Sequence, residues 1–155
     1  MADRRTLCFT HSHPHTSTTM VNSGSTYIFV NEKAGTVADL SGGDNKSIIG
    51  YENHNGDNQK WHAEQQGENF TFKNVATGQY LGIEGEPGEN TPVVVVDHPF
   101  EWHVTQDDES WRLWVPGTKY NMDLSDHGNP TPGTPVTLWG KWAAGRNQCW
   151  RLQDA

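Results

Sequence analysis

Two four-residue runs, Asn58-Gln59-Lys60-Trp61 and Asn147-Gln148-Cys149-Trp150, share the pattern Asn-Gln-x-Trp within a chain of 155 residues. On a strand, the Gln and Trp of such a run face the same way. A buried Trp fills core volume, and the amide of a Gln beside it must find partners, most simply backbone groups of a neighbouring turn. The chemistry expected of Gln59, Trp61, Gln148 and Trp150 is therefore structural. Other reactive side chains are scattered. His11, His13 and His15 have a spacing that could hold a soft metal. They sit in a Ser/Thr-rich stretch with no carboxylate or thiolate cluster nearby, so no metal is expected. Cys8 and Cys149 stand at opposite ends of the chain and form neither a disulfide framework nor a metal-spaced pair. Cys149 reads as a small core residue. Gly-x-Ser-x-Gly, His-Glu-x-x-His and P-loop signatures are all missing, and Asp107-Asp108-Glu109 reads as a solvated loop. Neither catalysis nor a cofactor is expected.

The charge balance narrows the partners. With 19 Asp and Glu against 11 Lys and Arg, the net charge of −8 lacks the basic footprint of a nucleic-acid binder and repels anionic membrane surfaces. The longest apolar run, Val93 to Val96, is far short of a bilayer span, and Met1-Ala2-Asp3-Arg4-Arg5 leads into Ser, Thr and His rather than an apolar leader. These features predict a cytoplasmic protein without membrane insertion.

The elements that must position any site are short strands. A composition of 16 Gly, 8 Pro and 7 Trp mixes turn formers with large aromatics. Residues 1–22 show neither the strand nor the helix period and predict a disordered tail, with the folded domain at 23–155 and Met20 close to its start. Beyond residue 25, Gly or Pro interrupts almost every ten-residue window, which excludes long helices. Three segments are alike: Tyr27 to Gly35, Phe70 to Gly78 and Trp111 to Gly117 each run from an aromatic strand into a Gly turn. A second strand follows each, at Thr36 to Leu40, Gln79 to Ile83 and Lys119 to Leu124, giving three hairpin-like openings. A third β-rich piece and a closing tryptophan, Trp61, Trp102 or Trp150, complete each unit. Three repeats of about 40 residues cannot each bury an apolar face alone and must share one core. Threefold closure, which also removes sheet edges, predicts an all-β chain with the β-trefoil fold.

From about Tyr27 to Gln153 the chain resembles the ricin-B-type lectins, whose trefoil carries a Gln-x-Trp in each repeat, and in particular the small single-domain fungal ones. Ala38 to Gly50 followed by Gly56-Asp57-Asn58-Gln59-Lys60-Trp61 carries the resemblance most specifically. What the resemblance implies is a shallow sugar pocket made by an Asp after the first hairpin, an aromatic on the third strand and the Asn before Gln-x-Trp. In the first repeat these are Asp39, Tyr51 and Asn58, with the Gly42 backbone and His54 at the rim. In the third they are Asp123, Trp139 and Asn147, with Trp142 extending the stacking surface. A galactose-type ring offers an apolar C–H face to the aromatic and vicinal hydroxyls to carboxylate and amide. The second repeat departs from the pattern, with Gly82, Val96 and Pro99-Phe100-Glu101-Trp102 at the corresponding places, and is not expected to bind galactose. Glu84, two residues after the missing Asp, offers a displaced carboxylate in its place. The resemblance thus implies a lectin for glycans ending in galactose or N-acetylgalactosamine, a homodimer, and a role in fungal defence. Two other readings stay open: a trefoil protease inhibitor presenting its proline-bearing loops at Glu84 to Pro92 or Pro130 to Pro135, and a structural trefoil that binds protein partners.

Overall fold

Alternating apolar residues and closely spaced turns produce twelve short strands in the computed structural model, which describes residues 20–155. The expected tail, with His11, His13, His15 and Cys8, lies outside the described residues except for positions 20–22. The strands fall into three sets of four. The first set is β1 (Thr26–Asn31), β2 (Val37–Leu40), β3 (Ile48–Tyr51) and β4 (Trp61–Gln66). The second is β5 (Asn69–Asn74), β6 (Tyr80–Gly82), β7 (Val94–Val96) and β8 (His103–Asp107). The third is β9 (Ser110–Trp114), β10 (Tyr120–Leu124), β11 (Thr134–Gly140) and β12 (Trp150–Asp154).

The first and last strands of every set close a six-stranded barrel. β1 pairs with β4 and β12, β4 with β5, β8 with β9, and β9 with β12. β5 meets β8 through reciprocal backbone bonds between Phe70 and Trp102 of 2.9 and 2.8 Å. The middle strands form three hairpins, β2–β3, β6–β7 and β10–β11. The hairpins lean on one another in a triangle: Gly50 and Ile49 pair with Thr134 and Pro135, Ser47 with Val94, and Pro92 with Thr137. Barrel and triangular cap together are a β-trefoil, and closure leaves no long edge exposed.

The hairpin reading of the sequence needs one correction. Consecutive strands β1–β2, β5–β6 and β9–β10 pair at a single register position each. The chain there leaves the barrel for the cap, and the true hairpins form between the later strands of each unit. A second difference concerns Gln-x-Trp. The Asn and Gln belong to 3-10 turns, Asp57–Gln59 and Arg146–Gln148, and only the Trp opens a strand.

Three tryptophans, Trp61, Trp102 and Trp150, are fully buried and stand at equivalent barrel positions, paired with Tyr27, Phe70 and Trp111. Each indole N–H donates to a cap-strand carbonyl, Trp61 to Ala38 at 3.2 Å, Trp102 to Leu81 at 3.0 Å and Trp150 to Met122 at 3.2 Å. The next residue in each case is Asp39, Gly82 or Asp123. The core tryptophans therefore fix the height at which the hairpins, and those three positions, sit on the barrel. Among the described residues, no helix is long and apolar enough to cross a membrane.

Candidate functional site

On the first hairpin Asp39 pairs with Ile49, and Tyr51 lies two residues further along the same strand, so Asp39 and Tyr51 are diagonal neighbours on one face. The third hairpin repeats this register, with Asp123 opposite Thr137 and Trp139 two residues on. The turn before each Gln-x-Trp returns an asparagine to that face. Asn58 donates to the Leu40 carbonyl at 3.1 Å, and Asn147 to the Leu124 carbonyl and Asp123 Oδ2, both at 3.2 Å. The first-repeat hollow, about 360 Å³, is lined by Asp39, Ser41, Gly42, Gly43, Ile49, Tyr51, His54 and Asn58. The third-repeat hollow, about 380 Å³, is lined by Asp123, Asp126, His127, Trp139, Gly140, Trp142, Asn147 and Gln148. Every residue singled out in the sequence as a binding residue lies in one of these two hollows.

The glutamines clamp both arrangements in the same way. Gln59 donates to Asp39 Oδ2 at 2.8 Å and to the Glu52 carbonyl at 2.9 Å, and its oxygen accepts the His54 N–H at 3.0 Å. Gln148 donates to Asp123 Oδ2 at 2.9 Å and to the Gly140 carbonyl at 3.0 Å, and accepts the Trp142 N–H at 2.8 Å. One buried amide thus ties the carboxylate to the loop that carries His54 or Trp142. A carboxylate has about four acceptor directions, so capacity for further donors remains. Gly56 and Gly145 make room for this packing. A Cβ at Gly56 would lie 2.4 Å from the His54 ring and 2.6 Å from Asn58 Oδ1, and one at Gly145 would lie 2.6 Å from the Trp142 ring.

Burial pushes the carboxyls of Asp39 and Asp123 above their ordinary value of 3.8. Hydrogen bonds from Gln59 and Gln148 oppose that shift, as do the nearby His54 and His127. His54 Nε2 stands 3.7 Å from Asp39 Oδ2. The aromatic groups are open to solvent: Tyr51 is 38%, Trp139 37% and Trp142 50% exposed. Among the described residues the exposed large apolar side chains are these three, Met20 and Val75, so every exposed Trp, Tyr or Phe faces one of the two hollows. Among the described residues, no group of three or more His, Cys, Asp or Glu is placed to hold a metal ion.

Sequence reasoning missed two side chains that line the third hollow and one that lies beneath it. Asp126 and His127 both adopt left-handed backbone, with φ of 54°. They stand where the first repeat has Gly42 and Gly43, so the rim that is bare backbone in one hollow carries side chains in the other. The signal available was a Ser-Asp-His-Gly run of short polar residues tolerant of such backbone. Arg112, on β9, is 1% exposed. Its guanidinium donates to Asp107, Asn121, Gln148 and the carbonyls of Trp142 and Ala143, at 2.8 to 3.4 Å. It holds the Trp142 loop and the Gln148 clamp from below.

The second repeat lacks all of this for a shared physical reason. Phe100 takes the place of the clamping Gln, and a Cβ at Gly82 would come within 3.0 Å of Phe100 and of Val96. Trp102 lies six positions after Val96, against ten from Tyr51 to Trp61 and eleven from Trp139 to Trp150, so the loop bearing His54 or Trp142 has no counterpart. The hollow there, about 770 Å³, is lined instead by a Lys46–Glu84 ion pair of 2.8 Å, Asp97 and His98. Gly82→Asp alone is expected to cost about 2 kcal/mol from overpacking against Phe100. Adding Phe100→Gln, which supplies the amide partner, is expected to recover part of that loss in thermal unfolding. Equal melting temperatures for the single and double variants would contradict this coupling.

The chain matches the family described as ricin-type beta-trefoil lectin domain-like over residues 16–96 and again over 57–139. Among solved structures it is similar to the ricin B-like lectin of Macrolepiota procera in complex with lactose, at 50% identity and a TM-score of 0.86, covering 88% of this chain and 100% of that one. It is also similar to the Rhizoctonia solani agglutinin, at 28% identity and a TM-score of 0.78, covering 88% and 99%. A designed threefold-symmetric protein, at 20% identity and a TM-score of 0.77 over 84% of this chain, shares the fold. No curated protein sequence matches the chain.

Proposed function

The chain belongs to the ricin-type β-trefoil lectin family and is a carbohydrate-binding lectin, and from that premise we propose that it recognises glycans ending in galactose or N-acetylgalactosamine through the hollows of its first and third repeats. The observation that carries the reading is the recurrence, in two hollows, of a buried carboxylate, a solvent-open aromatic ring and a carboxamide, with every exposed Trp, Tyr and Phe among the described residues placed there. The apolar face of the sugar stacks on Tyr51 or on Trp139 and Trp142. Vicinal hydroxyls donate to Asp39 or Asp123 and bond the amide of Asn58 or Asn147, the charged acceptor making the stronger bonds. The lactose bound by the Macrolepiota procera lectin, a disaccharide with a terminal galactose, supports this choice of ligand.

The two sites are not equivalent in this reading. Gly42 and Gly43 leave the first open to branched neighbours of the terminal sugar, whereas Asp126, His127 and Trp142 build a deeper wall around the third. Shallow single sites bind weakly, so useful avidity comes from two sites per chain, doubled again in a homodimer. We read the role as binding without catalysis, in the cytoplasm of a fungal cell, with defence against feeding animals through cross-linking of their glycans.

A glycan array probed with the labelled chain, repeated with free galactose and N-acetylgalactosamine as competitors, tests the proposal. Competable binding to terminal galactosides is the expected result. A blank array combined with nanomolar inhibition of papain or trypsin would replace it with the inhibitor reading.

A further inference from the structure

The binding asparagines, Asn58 and Asn147, are held at both ends. Their side chains reach into their own hairpins, while their backbone carbonyls accept bonds from a different repeat. Asn74, at the end of β5 in the second repeat, donates its side-chain amide to the Asn58 carbonyl at 3.1 Å. Asn31, at the end of β1 in the first repeat, donates to the Asn147 carbonyl at 2.9 Å, across the junction between chain start and chain end. Both are fully buried. Each stands four residues after the strand position paired with its repeat's core tryptophan. The same count from Trp111 in the third repeat arrives at Val115, which has no side-chain donor to offer. By the threefold relation, the position that Val115 would serve is Pro99, in the repeat that has lost its aspartate, aromatic and clamp.

We propose that Asn31 and Asn74 are positioning residues for the sugar sites of the neighbouring repeats, Asn31 for the third-repeat site and Asn74 for the first, so that each binding site is completed by a residue from outside its own repeat. The proposal rests on the two-site reading given above. A purely local role is the competing account. Asn31 Oδ1 accepts the N–H groups of Lys33 and Ala34 at 3.2 and 3.1 Å, and Asn74 Oδ1 accepts that of Ala76 at 3.1 Å, so both asparagines also cap their own turns. Turn capping, however, uses only the oxygen, and a shorter hydroxyl performs it too. It explains neither the amide bond into the neighbouring repeat nor why the repeat facing a defunct site has valine. With the carbonyl of Asn58 or Asn147 fixed, the 3-10 turn cannot rotate, and the carboxamide is aimed into the hollow before sugar arrives.

Serine separates the two roles, since it caps a turn but is too short to span the repeats. Lactose titration of the full chain is made in two backgrounds, Asp39→Asn, which leaves the third-repeat site, and Asp123→Asn, which leaves the first. In the first background Asn31→Ser is expected to weaken lactose binding about tenfold and Asn74→Ser to leave it unchanged. In the second background the effects exchange. Equal losses in both backgrounds, or none, would overturn the proposal in favour of local turn capping. Should a serine variant fail to fold, the unsubstituted asparagines decide. Lactose is then expected to shift the Asn31 side-chain amide resonance in Asp39→Asn protein and the Asn74 resonance in Asp123→Asn protein, and any other pattern overturns the assignment. Failure of the parent chain to bind lactose or any other galactoside would instead refute the two-site reading itself.

Discussion

Replacing Asp39 and Asp123 together by asparagine is expected to abolish galactoside binding while leaving thermal unfolding at neutral pH unchanged or slightly improved. In the two-site reading proposed above, each carboxylate is the charged acceptor for sugar hydroxyls, and losing such a bond costs about 2 kcal/mol, roughly thirtyfold in affinity. For sites that are already weak, this takes binding below detection by calorimetry. The neutral effect on stability follows from the direction of the shifts. Both carboxyls have folded-state values raised above 3.8 by burial, so the folded chain binds protons more tightly than the unfolded one. The stability they contribute is complete below 3.8 and is lost as pH rises through the raised values. At neutral pH their charge opposes folding, and an asparagine oxygen still accepts the Gln59 or Gln148 bond. The same shifts set the pH dependence of binding. Sugar affinity should fall as the pH drops through the raised carboxyl values, at a pH above 3.8. Asp107, held below its ordinary value by Arg112, and Asp44, lowered to about 2 by its bonds with Ser47 and Lys46, contribute stability above 3.8 that is lost only on further acidification. Binding should therefore be lost before the fold. A fall in melting temperature of several degrees in the double variant, or lactose binding that persists, would mean that the two carboxylates are structural.

The threefold plan was legible because the features that encode it are local: a glycine turn after each aromatic strand, and a tryptophan closing each unit. Asp39, Tyr51 and Asn58 could be placed through motif resemblance, and the structure gathers them because hairpin register puts Asp39 and Tyr51 on one face and the 3-10 turn returns Asn58 to it. What stayed hidden was tertiary. Gln59 reads as an amide awaiting backbone partners, and nothing within a few residues of it reveals that one of its bonds goes to Asp39, which lies twenty positions earlier and meets it only when the hairpin folds over the turn. Asn31 lies in a segment that reads as a strand running into a glycine turn, and its amide bond to Asn147 exists only once the barrel closes. The strand order went partly astray for a related reason: an aromatic run, a glycine turn and a second run look like a hairpin whether the chain doubles back or climbs from barrel to cap.

Arg112 was invisible as a site residue because alternation alone gives it the outer face of β9, where an arginine is ordinarily solvated. Here the loop through Trp142 and Ala143 covers it, and at the equivalent barrel positions of the other repeats stand Ile28 and Thr71. Arg112→Leu is expected to be the most destabilising single change outside the aromatic core. It strips the buried Asn121 oxygen of its Arg112 donor and removes the anchor of the Trp142 loop. Asp107, about one-quarter exposed, is rescued in part by water. Breaking such a network costs about 3 kcal/mol, or roughly 10 °C in melting temperature for a domain of this size. Because Arg112 bonds Gln148, the clamp of the third site, and has no counterpart beneath the first, calorimetry should show lactose stoichiometry falling from two sites to one. Acidification supplies an independent check. Arg112 depresses the Asp107 carboxyl, so the stability this pair provides is present above 3.8 and fades as pH falls through the depressed value. The melting-temperature gap between parent and variant should accordingly narrow on going from neutral to about pH 3. A change in melting temperature under about 2 °C with two intact sites would show that the guanidinium merely fills space beneath the loop.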